Sequence, residues 1–105
     1  MANPARGEVS LRVGEEDYTL KFSTNAICQV EERLDKGLNT IIANMERVTT
    51  VRALLWAGLL AHRPDTTLGQ AGEIIDRAGM APVTEALGKA LAAAFPVAKA
   101  DDPNA

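Results

Sequence analysis

Hydrophobic and polar positions alternate with a period of two between Glu8 and Phe22. Val9, Leu11 and Val13 point one way while Ser10 and Arg12 point the other, and Tyr18, Leu20 and Phe22 repeat the pattern against Thr19 and Lys21. The two runs flank Gly14-Glu15-Glu16-Asp17, a short acidic segment containing a glycine. Such a pattern predicts a β-hairpin with one buried face. A lone hairpin is marginal in water, so that face has to lie on helices or on another chain.

After Phe22 the period changes to 3.6. Ser23-Thr24-Asn25 offers N-cap candidates. Ala26, Ile27, Val30 and Leu34 then form a stripe opposite Gln29, Glu32, Arg33 and Lys36, and Gly37 is placed to end the helix with a positive φ. Leu38, Ile41, Ile42 and Met45 predict a second, short helix. Val51 to His62 is apolar around most of its circumference, which marks the central helix of a small domain, buried among its neighbours. Thr49 or Thr50 is its expected cap, and Pro64 bounds its end.

Thr67-Leu68-Gly69-Gln70 has capping-box spacing and opens a helix carrying Leu68, Ala71, Ile75 and Ala78 that stops at Gly79. Gly69 and Gly72 cost roughly 1 kcal/mol each relative to Ala in a helix interior, so this is either the weakest helix or a tightly packed one. Pro82 suits a first helical position. Val83, Ala86, Leu87, Ala90, Leu91 and Ala94 make a narrow seam that Phe95-Pro96 closes. The expected fold is α+β: an N-terminal β-hairpin followed by a mostly helical bundle of about five helices. A single domain spans 8–95, between a flexible lead (1–7) and a flexible tail (96–105).

Composition narrows the function classes. Of 105 residues 47% are hydrophobic but only 4% aromatic, so the core is aliphatic. A net charge of −3 argues against a nucleic-acid partner, which needs a basic patch. The helix pair from Thr67 to Ala94 sets Arg77 and Lys89 against Glu73, Asp76 and Glu85, a poor match to a helix-turn-helix that grips phosphates. The central apolar helix, at about a dozen residues, falls short of the ~20 needed to span a bilayer, so no membrane role is expected. The N-terminus lacks the apolar stretch of a secretory signal. With Cys28 alone there is no intrachain disulfide and no Cys-based metal site. A cytoplasmic location fits.

Candidate chemistry is sparse. His62, the lone histidine, sits at a helix C-terminus, where the dipole favours an imidazolium; a structural role fits it better than catalysis. Cys28 near a helix start has no basic neighbour in sequence and reads as a small, buried, inert thiol. Glu15-Glu16-Asp17 reads as a solvated loop tip, since it lacks the alternating ligand spacing of a calcium loop, and Glu31-Glu32 as ordinary helix surface. Gly69 and Gly72 lack the lysine and strand of a phosphate loop. No cofactor, metal or catalytic set is expected, which argues against an enzyme. On the central helix Arg52 and Arg63 form the polar strip, with Trp56 beside it. Either the Trp56 ring packs in the core, or Arg52, Trp56 and Arg63 form part of a contact surface, as Trp and Arg often do.

The order of elements resembles the tail assembly chaperones of gene transfer agents and siphophage-like particles. The matching features are the strand pair ending in Leu20-Lys21-Phe22, the helix Ala26-Ile27-Cys28-Gln29-Val30-Glu31 with its Gly37-Leu38 break, and the helix from Val51 to Leu59. The Gly79 turn and the alanine-rich helix to Phe95 complete it, so the resemblance spans roughly residues 8 to 95. It rests on apolar and small-residue patterns, not on a chemical signature, and fixes no functional residue. It implies a small accessory protein in the bacterial host cytoplasm that binds tape measure and tail tube proteins during tail morphogenesis, with self-association as a further partner. The rival expectation is a small interaction or adaptor domain with no virion role.

Overall fold

Strands β1 (Glu8–Val13) and β2 (Glu16–Lys21) pair antiparallel in the computed structural model, which describes residues 2–95. Val9 lies opposite Leu20, Leu11 opposite Tyr18 and Val13 opposite Glu16, so the apolar residues share one face as the alternation requires. The connecting loop is shorter than expected. It holds only Gly14 and Glu15, and Glu16 and Asp17 already belong to β2. Gly14 carries a φ of 64°, as the first loop position of a II′ hairpin demands. Ahead of β1, Pro4–Arg6 forms a 3-10 turn capped by the Asn3 side chain and closed by Gly7 at a φ of 78°. The expected tail, 96–105, lies outside the described residues.

Five helices follow: α1 (Thr24–Leu34), α2 (Leu38–Ala43), α3 (Val48–Leu59), α4 (Leu68–Ala78) and α5 (Met80–Ala94). Ser23 caps α1, its hydroxyl accepting the Ala26 N–H at 3.1 Å. The left-handed stop falls on Asp35 (φ 55°), not on Gly37, which adopts φ −72° and begins α2. Aspartate tolerates that conformation better than most residues. Glu31, expected as plain surface, reaches over this junction and accepts the Leu38 N–H at 2.9 Å.

The central helix lies three residues upstream of its expected span. Arg47, with no side-chain cap, is its N-cap, and Thr49 and Thr50 are inside it. The Arg47 carbonyl accepts from Thr50 and Val51, both at 3.1 Å, so helical bonding already spans the threonines. The helix ends at Leu59, and Leu60 to His62 form a turn. The Thr67–Gln70 capping box is present, with bonds of 3.1 and 2.9 Å. Gly79 links α4 directly to α5 at φ 94°, so Pro82 is the third residue of α5 instead of the first. It still sits in the first turn, where amide hydrogens have no intrahelical partner.

Eight of the twelve residues of α3 are buried. The helix packs against α1, α4, α5 and β2, while α5 lies under both strands. The hairpin face of Leu11, Val13, Tyr18, Leu20 and Phe22 is 5% exposed or less, which closes it against these helices. Burying each such aliphatic or aromatic side chain stabilises the fold by about 1.5–3 kcal/mol. The seam of α5 is buried as its spacing predicts, from Val83 to Leu91. On α4, Ile74 joins Ala71 and Ile75 in the core. A Cβ on Gly72 would meet only Arg52 Cδ at an ordinary 3.5 Å, and one on Gly69 only Thr67 Oγ1 at 3.8 Å. Tight packing therefore does not account for those glycines.

Candidate functional site

Arg52 and Trp56 stand one turn apart on α3 and are both half-buried. The Trp56 indole N–H donates to the Thr66 carbonyl at 3.0 Å, which ties α3 to the loop before α4. The Arg33 guanidinium of α1 lies over the ring, 5.6 Å from its centroid. Trp56 therefore packs against the edge of the core, with its polar atom satisfied. Arg52 lays its stem beside Gly72, and its Nε is buried with no hydrogen-bond partner among the described residues. Arg63 belongs to a different neighbourhood: its guanidinium lies over the Tyr18 ring at 4.5 Å. The polar strip read from the helix wheel thus divides, because α3 ends before Arg63 and the chain turns toward the hairpin.

Around Arg63 a polar hollow of about 320 Å³ collects Glu16, Tyr18, Gln70, Glu73 and Arg77. The Tyr18 hydroxyl donates to Glu16 Oε1, and Arg77 approaches the same oxygen at 3.8 Å. The Tyr18 bond, with Arg77 and Arg63 nearby, outweighs partial desolvation and holds the Glu16 carboxyl below its ordinary range. Asp17 pairs with Arg12 at 3.4 Å. Two of the three acids expected at a solvated tip are therefore in strand β2 and have cation partners.

Glu8 is 5% exposed. One carboxylate oxygen accepts the Asn3 N–H at 2.9 Å and the other meets His62 Nε2 at 3.1 Å. The Asn3 bond is the main reason its carboxyl is held below the ordinary value; burial opposes this, and His62 and Arg6 add to it. His62 thus has a structural role, fastening the turn after α3 to the start of β1. Cys28 is exposed, contrary to expectation. It is two residues from both Ala26 and Val30, the buried positions of α1, and so faces away from them. Among the described residues no group of three or more His, Cys, Asp or Glu is placed to hold a metal ion. None of the described helices is long and apolar enough to cross a membrane.

A concavity of about 830 Å³ runs between β1 and one flank of α5. Ser10, Arg12 and Thr19 line it from the hairpin, and Pro82, Ala86 and Ala93 from the helix, with Pro4 contributed by the lead. Sequence reasoning passed over this groove. Periodicity identifies the buried seam of α5 but says nothing of what its neighbouring flank will face. Apolar side chains are also left in solvent at Ile42 (40% exposed), Val48 (59%) and Phe95 (43%). Comparison with protein-family models, curated proteins and solved structures finds no match for this chain.

Proposed function

We propose that this protein is a non-enzymatic assembly chaperone of phage or gene transfer agent tails, which binds tape measure and tail tube proteins during tail morphogenesis. The observation that carries the reading is the apolar surface left open at the α2–α3 corner. Ile42 and Val48 project into solvent there, each three residues in sequence from the half-buried Met45. A chaperone for a long, apolar helical client needs apolar side chains in solvent of this kind to meet it. The resemblance in element order, hairpin then helices around α3, supplies the tail-specific part. An adaptor domain with no virion role would offer the same surface, so the partners decide between the two.

The test is co-expression of the full chain with the tape measure and tail tube proteins encoded near its gene, followed by co-purification. Recovery of a complex that weakens in Ile42→Ser/Val48→Ser is expected. Tail genes absent from the neighbourhood, or tail proteins that never co-purify, would sink the tail role.

A further inference from the structure

The hairpin register leaves one edge of β1 bare. Val13 and Glu16 flank a two-residue loop, so they exchange hydrogen bonds, and alternation along the ladder makes Leu11–Tyr18 and Val9–Leu20 the other bonded pairs. The N–H and C=O groups of Ser10 and Arg12 consequently point away from β2. None of these four groups has a backbone partner among the described residues. At Glu8 the edge is closed, because its N–H donates to the Asn3 carbonyl at 3.1 Å.

Beside this edge lies the β1–α5 groove, and we propose that it binds an extended, uncharged segment of a partner polypeptide, which joins β1 as a third strand. A row of unpaired backbone groups is satisfied most directly by another extended backbone. The groove supplies what such a strand needs on its far side. Pro82, Ala86 and Ala93 are small or compact and leave room for every second side chain of the incoming segment.

Charge selects the class of segment. Arg12 has Asp17 at 3.4 Å, Lys89 has Glu85 at 3.6 Å, and the Glu8 carboxylate has the Asn3 N–H at 2.9 Å and Arg6 at 3.9 Å. Each of these groove charges is already answered within the chain, so a charged side chain entering the groove gains no free counter-charge and loses hydration. A second copy of this chain fits less well than a single strand. Its β1 arrives with β2 attached about 4.8 Å away, on the side where α5 walls the groove. The volume of about 830 Å³ is of the size that takes a short peptide.

The inference rests on the reading of the chain as a binding protein, but not on the partner belonging to a phage tail. The full chain is panned against a display library of random hexapeptides, and the best binder is synthesised with N-methyl groups at alternate positions. Uncharged, alternating sequences are expected. N-methylation of one alternate set should weaken binding about tenfold or more, and of the other set little. Ser10→Pro removes an outward N–H at a position where an edge strand tolerates proline, and should weaken binding comparably. Should that variant unfold, Ala93→Arg obstructs the groove from the helix and should have the same effect.

Amide exchange in the free chain gives a second readout: Ser10 and Arg12 should exchange fast while Leu11 is protected. Failure to enrich any peptide, enrichment of charged ones only, or indifference to N-methylation would overturn the proposal. So would slow Ser10 and Arg12 exchange in the free protein, which would mean that the chain's own segment or a second copy already covers the edge. Peptide binding without tail-protein co-purification would refute the tail role alone; the reverse would refute the groove alone.

Discussion

On the side of α3 that meets the hairpin, the Phe22 ring lies so close to Gly58 that a Cβ there would come within 3.2 Å of its Cζ. On the side that meets α1 and α4, Trp56 and Arg52 bring polar atoms into the contact, one satisfied by a loop carbonyl and the other buried and orphaned. One helix thus has a dry contact whose fit depends on shape, and a wetter one that depends on hydrogen bonding. The difference teaches that an almost wholly apolar helix is not closed the same way all round. The hairpin side should respond sharply to any added charge or volume. The arginine–tryptophan side should absorb substitutions at lower cost.

The largest effect is expected at the hairpin face. Leu20 is fully buried, and Leu20→Asp would leave an unpaired carboxylate there, lowering stability by about 4 kcal/mol or more. Ser10→Asp on the opposite, exposed face should change it by no more than about 0.5 kcal/mol. Urea denaturation of the pair checks this, and equal midpoints would mean the hairpin is not docked. Next comes Trp56→Ala, at about 2–3 kcal/mol, less than the ~3–5 kcal/mol of a fully buried tryptophan because the ring is half-buried. Trp56→Phe should recover most of that loss. A fully stable Trp56→Ala variant would instead favour Trp56 as a contact residue.

Gly58→Ala sets about 1 kcal/mol of gained helix propensity against overpacking of an enclosed ring at about 1–3 kcal/mol. The expected result is a net loss of about 1 kcal/mol by thermal denaturation; a gain would show that Phe22 has room to shift. Arg52→Met keeps the stem and removes the orphaned Nε, and should raise stability by about 0.5 kcal/mol. A marked loss would reveal that the guanidinium is held by a contact of its own.

The last test concerns the tether at the end of α3. Because the folded pKa of Glu8 lies below its ordinary value of 4.5, its contribution is fully present above that value and is lost as pH falls through the lowered one. Melting temperatures taken from neutral pH downward should fall less steeply in the acid limb for Glu8→Gln than for the parent. Parallel curves would mean that Glu8 is not held as an anion.

Much of the fold can be read from the chain by itself. Alternation determined the hairpin and its inward face, because a period of two puts Leu11, Tyr18 and Leu20 on one side; it left the register open by two residues, which the short Gly14-Glu15 loop settled. The 3.6 periods of the helical segments determined five helices, and the local chemistry of Ser23 and of Thr67-Gln70 fixed two of their starts. Helix ends were less legible where two residues competed. Asp35 took the left-handed position that Gly37 was expected to fill, and Arg47 displaced the two threonines, since its carbonyl already accepts from Thr50 and Val51.

Only the tertiary structure decided where polar side chains went. Glu8 is on the outward parity of β1, yet the 3-10 turn and His62 cover it, fifty-four residues apart in sequence from the latter. Arg63 left the strip shared by Arg52 and Trp56 because the chain turns after Leu59. The groove beside β1 has no sequence signal at all. It exists because α5 buries one seam under the sheet and so sets its adjacent flank against a strand edge. Periodicity is a property of single elements, whereas contacts between elements far apart in the chain arise only when their faces are brought together.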